Sequence, residues 1–378
     1  MTEPAGFGVY IHWPFCAAKC PYCDFNSHVS AHIDHDAWLS AYLEEIDRIA
    51  AESPDHIVTS VFFGGGTPSL MEPRVTSAVL DRIAARWRQG NDVEVTLEAN
   101  PTSVEADRFS AFRTAGVNRI SMGIQALNNA DLRRLGRLHS KEEALAAFDI
   151  ARNAFDRVSF DLIYARQDQS LASWEAELTE ALSLAVDHLS MYQLTIEQGT
   201  AFGDRFNAGT LRGLPSDDLS ADMYELTQDI CSAHGMPAYE VSNHAIPGAE
   251  SRHNLIYWRM QDYAGIGPGA HGRLTSNGTR FATEAPRAPK LWLDGAREKP
   301  RVVLSPDEQA EEMVMMGLRL KEGIDPARYA SLTGRSLPEK AVEDLESGGF
   351  IQIKESRITV TEQGFIVLNG ILRALLGD

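Results

Sequence analysis

Cysteine is scarce in this chain, with 4 in 378 residues. So low a count excludes a disulfide-stapled scaffold. Long apolar runs are missing too, and none approaches the roughly 20 residues a membrane-spanning helix needs. Positive charge is in deficit, with 35 Lys and Arg against 53 Asp and Glu and a formal net charge of −18. That balance argues against a broad nucleic-acid surface, which needs a basic stripe, but local arginines can still bind a small anion. Most of the excess negative charge reads as a solubility device. The first residues, Met1-Thr2-Glu3-Pro4, offer neither a basic nor an apolar region, so no signal peptide is expected. Few cysteines and no leader predict a reducing, cytoplasmic setting.

What is present is concentrated. Three cysteines fall within eight residues, Cys16-Ala17-Ala18-Lys19-Cys20-Pro21-Tyr22-Cys23, and the fourth, Cys231, lies far away. This C-x3-C-x2-C triplet is not the paired C-x2-C of a structural zinc site. It suits a cubane iron–sulfur cluster, in which thiolates complete the irons and three thiols leave one iron open. Three ordinary buried thiols would be the alternative. Lys19, between two of the cysteines, is expected to favour their thiolate forms.

Around the triplet the chain alternates. Apolar stretches at residues 7–15, 57–63, 93–97, 119–124, 158–163 and 188–194 read as strands. Helical periodicity fills the gaps, at Asp36 to Ala51 and near residues 72–88, 104–115, 141–154 and 171–186. Six β-then-α units predict a parallel sheet with helices outside. No G-x-G-x-x-G follows the first strand, so an incomplete (β/α)6 TIM-like barrel is expected rather than an open dinucleotide-binding sheet. Polar residues collect at the strand ends (Cys16, Thr67, Glu98, Gln125, Asp161 and Gln193), the rim where barrel-type folds bind ligands. Residues 1–240 form the predicted barrel core. Residues 241–303, rich in Gly and Pro, extend it. Residues 304–378 read as helices, a hairpin near 351–360 and a last helix from Thr361, a winged-helix-like domain.

The segment from Tyr10-Ile11-His12-Trp13-Pro14-Phe15-Cys16 to Phe25-Asn26-Ser27-His28 resembles the signature of radical S-adenosylmethionine (SAM) proteins. More narrowly it resembles the oxygen-independent coproporphyrinogen dehydrogenase group and, within it, the HemW-type heme chaperones. The resemblance implies a [4Fe-4S] cluster on Cys16, Cys20 and Cys23, with SAM on the open iron. It further implies SAM contacts from Tyr10, from Gly65, Gly66 and Thr67 in the run Gly64-Gly65-Gly66-Thr67-Pro68, and from Glu98, Gln125, Arg137 and Asp161. These groups complement an ammonium, a carboxylate, a sulfonium and ribose hydroxyls. The implied chemistry is one-electron cleavage of SAM to a 5′-deoxyadenosyl radical, with the protein supplying binding and exclusion of water.

Two features separate the members of the group. The dehydrogenases carry a further cysteine two residues after the third, and here Phe25 occupies that place. The motif His253-Asn254-Leu255-Ile256-Tyr257-Trp258 is shared with the heme chaperones, and the resemblance implies heme binding there. His253 is then the expected axial ligand, Tyr257 and Trp258 stacking groups, and Arg252 and Arg259 propionate partners. His271 is a second candidate, and packed core is the alternative for the whole motif. The expected function is a heme chaperone passing heme to apo-proteins, respiratory membrane enzymes among them. An electron donor would serve the cluster, and no nucleic acid is expected as partner. The location would be cytoplasmic or peripheral to a membrane, as a monomer or dimer. Oxidative decarboxylation of coproporphyrinogen III is the alternative.

Overall fold

The computed structural model describes residues 6–377. Six strands follow one another in the expected alternation: β1 (Phe7–Trp13), β2 (Ile57–Gly65), β3 (Arg88–Ala99), β4 (Arg119–Gln125), β5 (Arg157–Tyr164) and β6 (His188–Gln193). Neighbours in sequence are parallel neighbours in the sheet. A seventh parallel strand, β7 (Tyr263–Ile266), pairs with β1 on its other side. The antiparallel strands β8 (His271–Ser276) and β9 (Thr279–Glu284) continue that edge, while residues Asn243–Ala245 close the other edge against β6. The short seventh strand, Gly-rich and without an apolar run, carries no strand signal of its own.

Strand periodicity decides the layers. Val9, Ile11 and Trp13 of β1 point outward and are fully buried against the helix His35–Glu52. There Trp13, Trp38 and Trp292 pack in series, with ring centroids 5.8 and 5.5 Å apart. Alternate residues face the concave side and are largely polar: His12, Ser60, Thr96, Glu98, Ser121, Asp161 and Ser190 among them. A polar inner face has to be satisfied, and residues 239–258 do much of that by crossing beneath it. The Tyr239 hydroxyl lies 3.0 Å from His188 Nε2 on β6, the His253 backbone N–H donates to Glu94 on β3 at 3.3 Å, and the His253 ring meets Ser60 on β2. One segment touching β2, β3 and β6 shows how strongly the sheet curls.

The helix expected over residues 104–115 is broken into Ser103–Ala106 and Phe109–Thr114. The break leaves the Glu105 carboxylate buried, where it accepts from Asn100 N at 2.8 Å and from the Ser69 hydroxyl. Helices Pro306–Gly317, Pro326–Thr333 and Glu339–Ser347, the hairpin Ile351–Lys354 with Arg357–Val360, and helices Glu362–Ile366 and Leu368–Leu376 build a separate apolar core around Val314, Leu318, Ile351 and Ile371. No helix among the described residues is long and apolar enough to cross a membrane.

Candidate functional site

The cysteine loop leaves β1 and is fastened at both ends. Phe15–Cys16 pairs in parallel with His28–Val29, Cys16 lying opposite Val29. The glycine run at the end of β2 is stitched to it, since Gly66 N donates to Trp13 O at 2.7 Å and Thr67 N to Phe15 O at 2.8 Å. Glycine is required there. A Cβ on Gly65, whose φ is +111°, would stand 2.5 Å from the His12 ring, and one on Gly66 would stand 2.6 Å from the Phe15 carbonyl oxygen. His12 is buried between the two loops, with Nδ1 3.0 Å from the Tyr10 hydroxyl and Nε2 2.9 Å from Asn26 O. Burial lowers its pKa to about 4, so the ring is neutral.

Above this floor opens a cavity of about 1000 Å³ at the C-terminal ends of the strands. Cys16, Cys20, Cys23, Gly65, Gly66, Thr67, Glu98, Gln125, Arg137 and Asp161 all line it. The thiols are free, and each is partly exposed. Cys16 Sγ accepts from Thr67 Oγ1 at 3.5 Å and Cys20 Sγ from Arg137 Nη1 at 3.4 Å. Burial pushes the Cys16 and Cys23 thiols up, and Lys19 is exposed. Three free thiols opening on one cavity, two of them receiving hydrogen bonds, fit a cluster with an open corner.

The rest of the lining suits a cation. Glu98 accepts from Gly65 N at 3.2 Å, and burial, then the charge of Asp161, raises its pKa to about 8. Burial raises Asp161 to about 6 against the pull of Ser190, Arg119 and Arg137. Two buried carboxyl groups with no ion-pair partner among the described residues fit a ligand carrying a sulfonium and an ammonium. Gln125 has φ +72° beside an irregularity between Met122 and Gln125 in the β4–β5 register. Such bulges re-aim a side chain at the rim of a sheet. Arg137 donates to Asn100 Oδ1 at 2.6 Å and Gly123 O at 2.8 Å, and its buried Nε has no partner.

Two expected residues lie elsewhere. Tyr10 sits beneath the cavity, where a Cβ on Gly64 would come within 2.9 Å of its ring. His253 is 1% exposed and does not line the cavity. Its Nδ1 lies 2.7 Å from Ser60 Oγ, its Nε2 2.7 Å from the Tyr257 hydroxyl, and its ring stacks on Phe62 at 5.1 Å. Both nitrogens are engaged, so this arrangement offers iron no lone pair. Arg252 is committed to Asp92 and Arg259 to Glu322 at 2.8 Å. Tyr192, Tyr224, Phe365 and Ile366 also line the cavity and carry no sequence signal; the last two come from the C-terminal region.

Comparison with known proteins follows the same lines. Residues 10–178 match the radical SAM superfamily and residues 304–367 the HemN C-terminal domain. The chain is similar to the heme chaperone HemW of Escherichia coli K12, with 37% identity and 100% of both chains covered. It is similar to HemW of Bacillus subtilis, with 35% identity over 98% of this chain and 99% of the other. Against radical S-adenosyl methionine domain-containing protein 1, mitochondrial, of Danio rerio, identity is 36% over 97% of this chain and 86% of the relative. The solved structure of E. coli coproporphyrinogen III oxidase (HemN) superposes with a TM-score of 0.80 at 21% identity, covering 98% of this chain and 90% of that one.

Proposed function

Since the chain belongs to the HemW heme-chaperone family of the radical SAM superfamily, we propose that it binds heme and hands it to apo-hemoproteins. The observation that carries this is identity of 37% along the entire length of a heme chaperone. The likeness to coproporphyrinogen oxidase, at 21% identity, is one of fold. Phe25 has no thiol to stand in for the dehydrogenases' further cysteine.

Family membership implies a [4Fe-4S] cluster and SAM. We assign the cluster to Cys16, Cys20 and Cys23. Gly65, Gly66 and Thr67 present backbone groups to the methionine end of SAM, while Glu98 and Asp161 face its positive charges. Arg137 and Gln125 orient the nucleotide, and Tyr10 supports the glycine run from below. When bound, the cluster supplies one electron to the sulfonium. An external one-electron donor then has to reach it, and the cytoplasm or a membrane surface bearing respiratory apo-proteins is the setting that fits.

Anaerobically reconstituted protein loaded with heme is expected to convert an apo-b-type hemoprotein to its holo spectrum and to leave coproporphyrinogen III unchanged. Protoporphyrinogen formation without heme transfer would replace this reading with the dehydrogenase one.

A further inference from the structure

Beneath the strand-end cavity lies a buried cation that the site described above does not use. Arg119, the first residue of β4, is 2% exposed. Among the described residues its guanidinium donates to hydroxyls alone, Nη1 to Thr96 Oγ1 at 3.5 Å and Nη2 to Ser159 Oγ at 3.1 Å, and its Nε has no partner. The nearby acids are taken: Arg157, opposite Arg119 on β5, holds Glu94 at 2.8 Å and Asp187 at 2.7 Å. A buried charge is costly unless it is paired. Barrel interiors are usually filled by layers of branched aliphatic side chains, yet the layer over Arg119 is made of Ser121, Ser159 and Ser190.

Those hydroxyls form a path. Ser159 Oγ lies 3.1 Å from Ser121 Oγ, and Ser121 Oγ donates to Asp161 Oδ1 at 3.5 Å. A guanidinium can only donate and an ionised carboxylate can only accept, so both serine protons turn the same way, toward Asp161. A chain of hydrogen bonds aligned in one sense strengthens each member. Ser121 and Asp161 line the cavity, while Ser159 and Arg119 do not. Ser190 faces Asp161 from β6, and its hydroxyl donates to Asn243 Oδ1 at 2.7 Å.

We propose that Arg119 is a positioning residue for the nucleotide site, keeping the Asp161 carboxylate ionised and turned toward a cationic ligand through Ser159 and Ser121. The two carboxyl groups of the cavity then differ in role. Glu98 has no such line behind it and accepts from the Gly65 N–H at 3.2 Å. A pair of acids in unequal surroundings divides its charge unequally, one member staying anionic while the other takes up the proton.

The proposal rests on the SAM assignment, and one set of titrations separates the two. Anaerobically reconstituted full-length protein is dialysed to equilibrium against SAM between pH 5 and 8, for wild type, Arg119→Met, Arg119→Lys, Ser159→Ala and Ser121→Ala. Circular dichroism verifies the fold of each. Glu98, Arg119, Arg137 and Tyr192 are the titratable and charged groups facing Asp161, and only Arg119 changes charge across this set. Wild-type affinity is expected to fall on the acid side as Asp161 takes up a proton. A neighbouring cation holds a carboxyl down by about 1–3 pH units, so Arg119→Met should move that acid limb up by about one pH unit. Ser159→Ala and Ser121→Ala should move it the same way by less, and Arg119→Lys should return it toward wild type. A merely structural role would weaken binding alike at every pH and leave the limb in place. If Arg119→Met does not fold, the two serine variants carry the test. An unmoved acid limb in the folded variants overturns the proposal and leaves SAM binding standing. Absence of SAM binding by wild type at every pH overturns the SAM assignment, and the proposal with it.

Discussion

Arg137 reaches the sulfur of Cys20, its Nη1 3.4 Å from Sγ, while its other terminal nitrogen holds Asn100 and the Gly123 carbonyl. One guanidinium therefore joins the cysteine loop to the ends of β3 and β4. A cation donating to a cluster thiolate stabilises the reduced, more negative state. Arg137→Ala is expected to lower the cluster's reduction potential and weaken SAM binding at least about tenfold, a loss of roughly 1.4 kcal/mol. Potentiometric titration with paramagnetic resonance detection checks the first and equilibrium dialysis the second. An unchanged potential would remove Arg137 from the cluster's surroundings.

The raised carboxyl groups give a pH dependence with a definite sign. Glu98, near 8, and Asp161, near 6, bind protons in the folded chain that they have released in the unfolded one. Stability without ligand therefore falls as pH rises from the ordinary carboxyl range toward 8. Glu98→Gln should flatten that decline and raise the melting temperature at pH 8 relative to wild type, while weakening SAM binding. Thermal melts at pH 5, 6.5 and 8 decide it, and parallel curves for the two proteins would count against the raised value.

The four cysteines should divide cleanly. Cys16→Ala, Cys20→Ala or Cys23→Ala is expected to abolish iron retention after anaerobic reconstitution. Cys231 is buried in the helix Asp217–Ala233, away from the cavity. Cys231→Ala should keep its iron and cost about 1 kcal/mol for the volume removed. Iron and sulfide analysis with the visible spectrum reads both outcomes.

His253→Ala removes an imidazole bonded at both nitrogens and stacked on Phe62, leaving Ser60 and Tyr257 without their partner. The expected cost is about 2–4 kcal/mol in urea unfolding. A loss under about 0.5 kcal/mol would mean the ring is not the interior prop it resembles.

Much of this was legible because barrels write their chemistry at strand ends. Each of Glu98, Gln125 and Asp161 sits on a strand whose apolar run could be read, so the rim assembled itself once the strands were in order. The cysteine spacing gave the loop, and the apolar helix periodicity gave the outer layer. The failures have a common cause. His253 with Tyr257 has the same composition whether it grips a ligand or fills an interior, and only the curl of the sheet around residues 239–258 decides. Glu105 was invisible since one of its partners, Ser69, comes from another loop. Phe365 and Ile366 reach the cavity from the C-terminal region, a juxtaposition no local pattern encodes.

Asn26 has one more consequence. Its amide is anchored to carbonyls 242 and 261 positions later in the chain, and ribosomes deliver the N-terminal part first. The thiol trio is thus made early, while the carbonyls that hold Asn26 emerge only with residues 268 and 287. A nascent chain arrested before position 268 would display its cysteines without either carbonyl that holds the Asn26 amide.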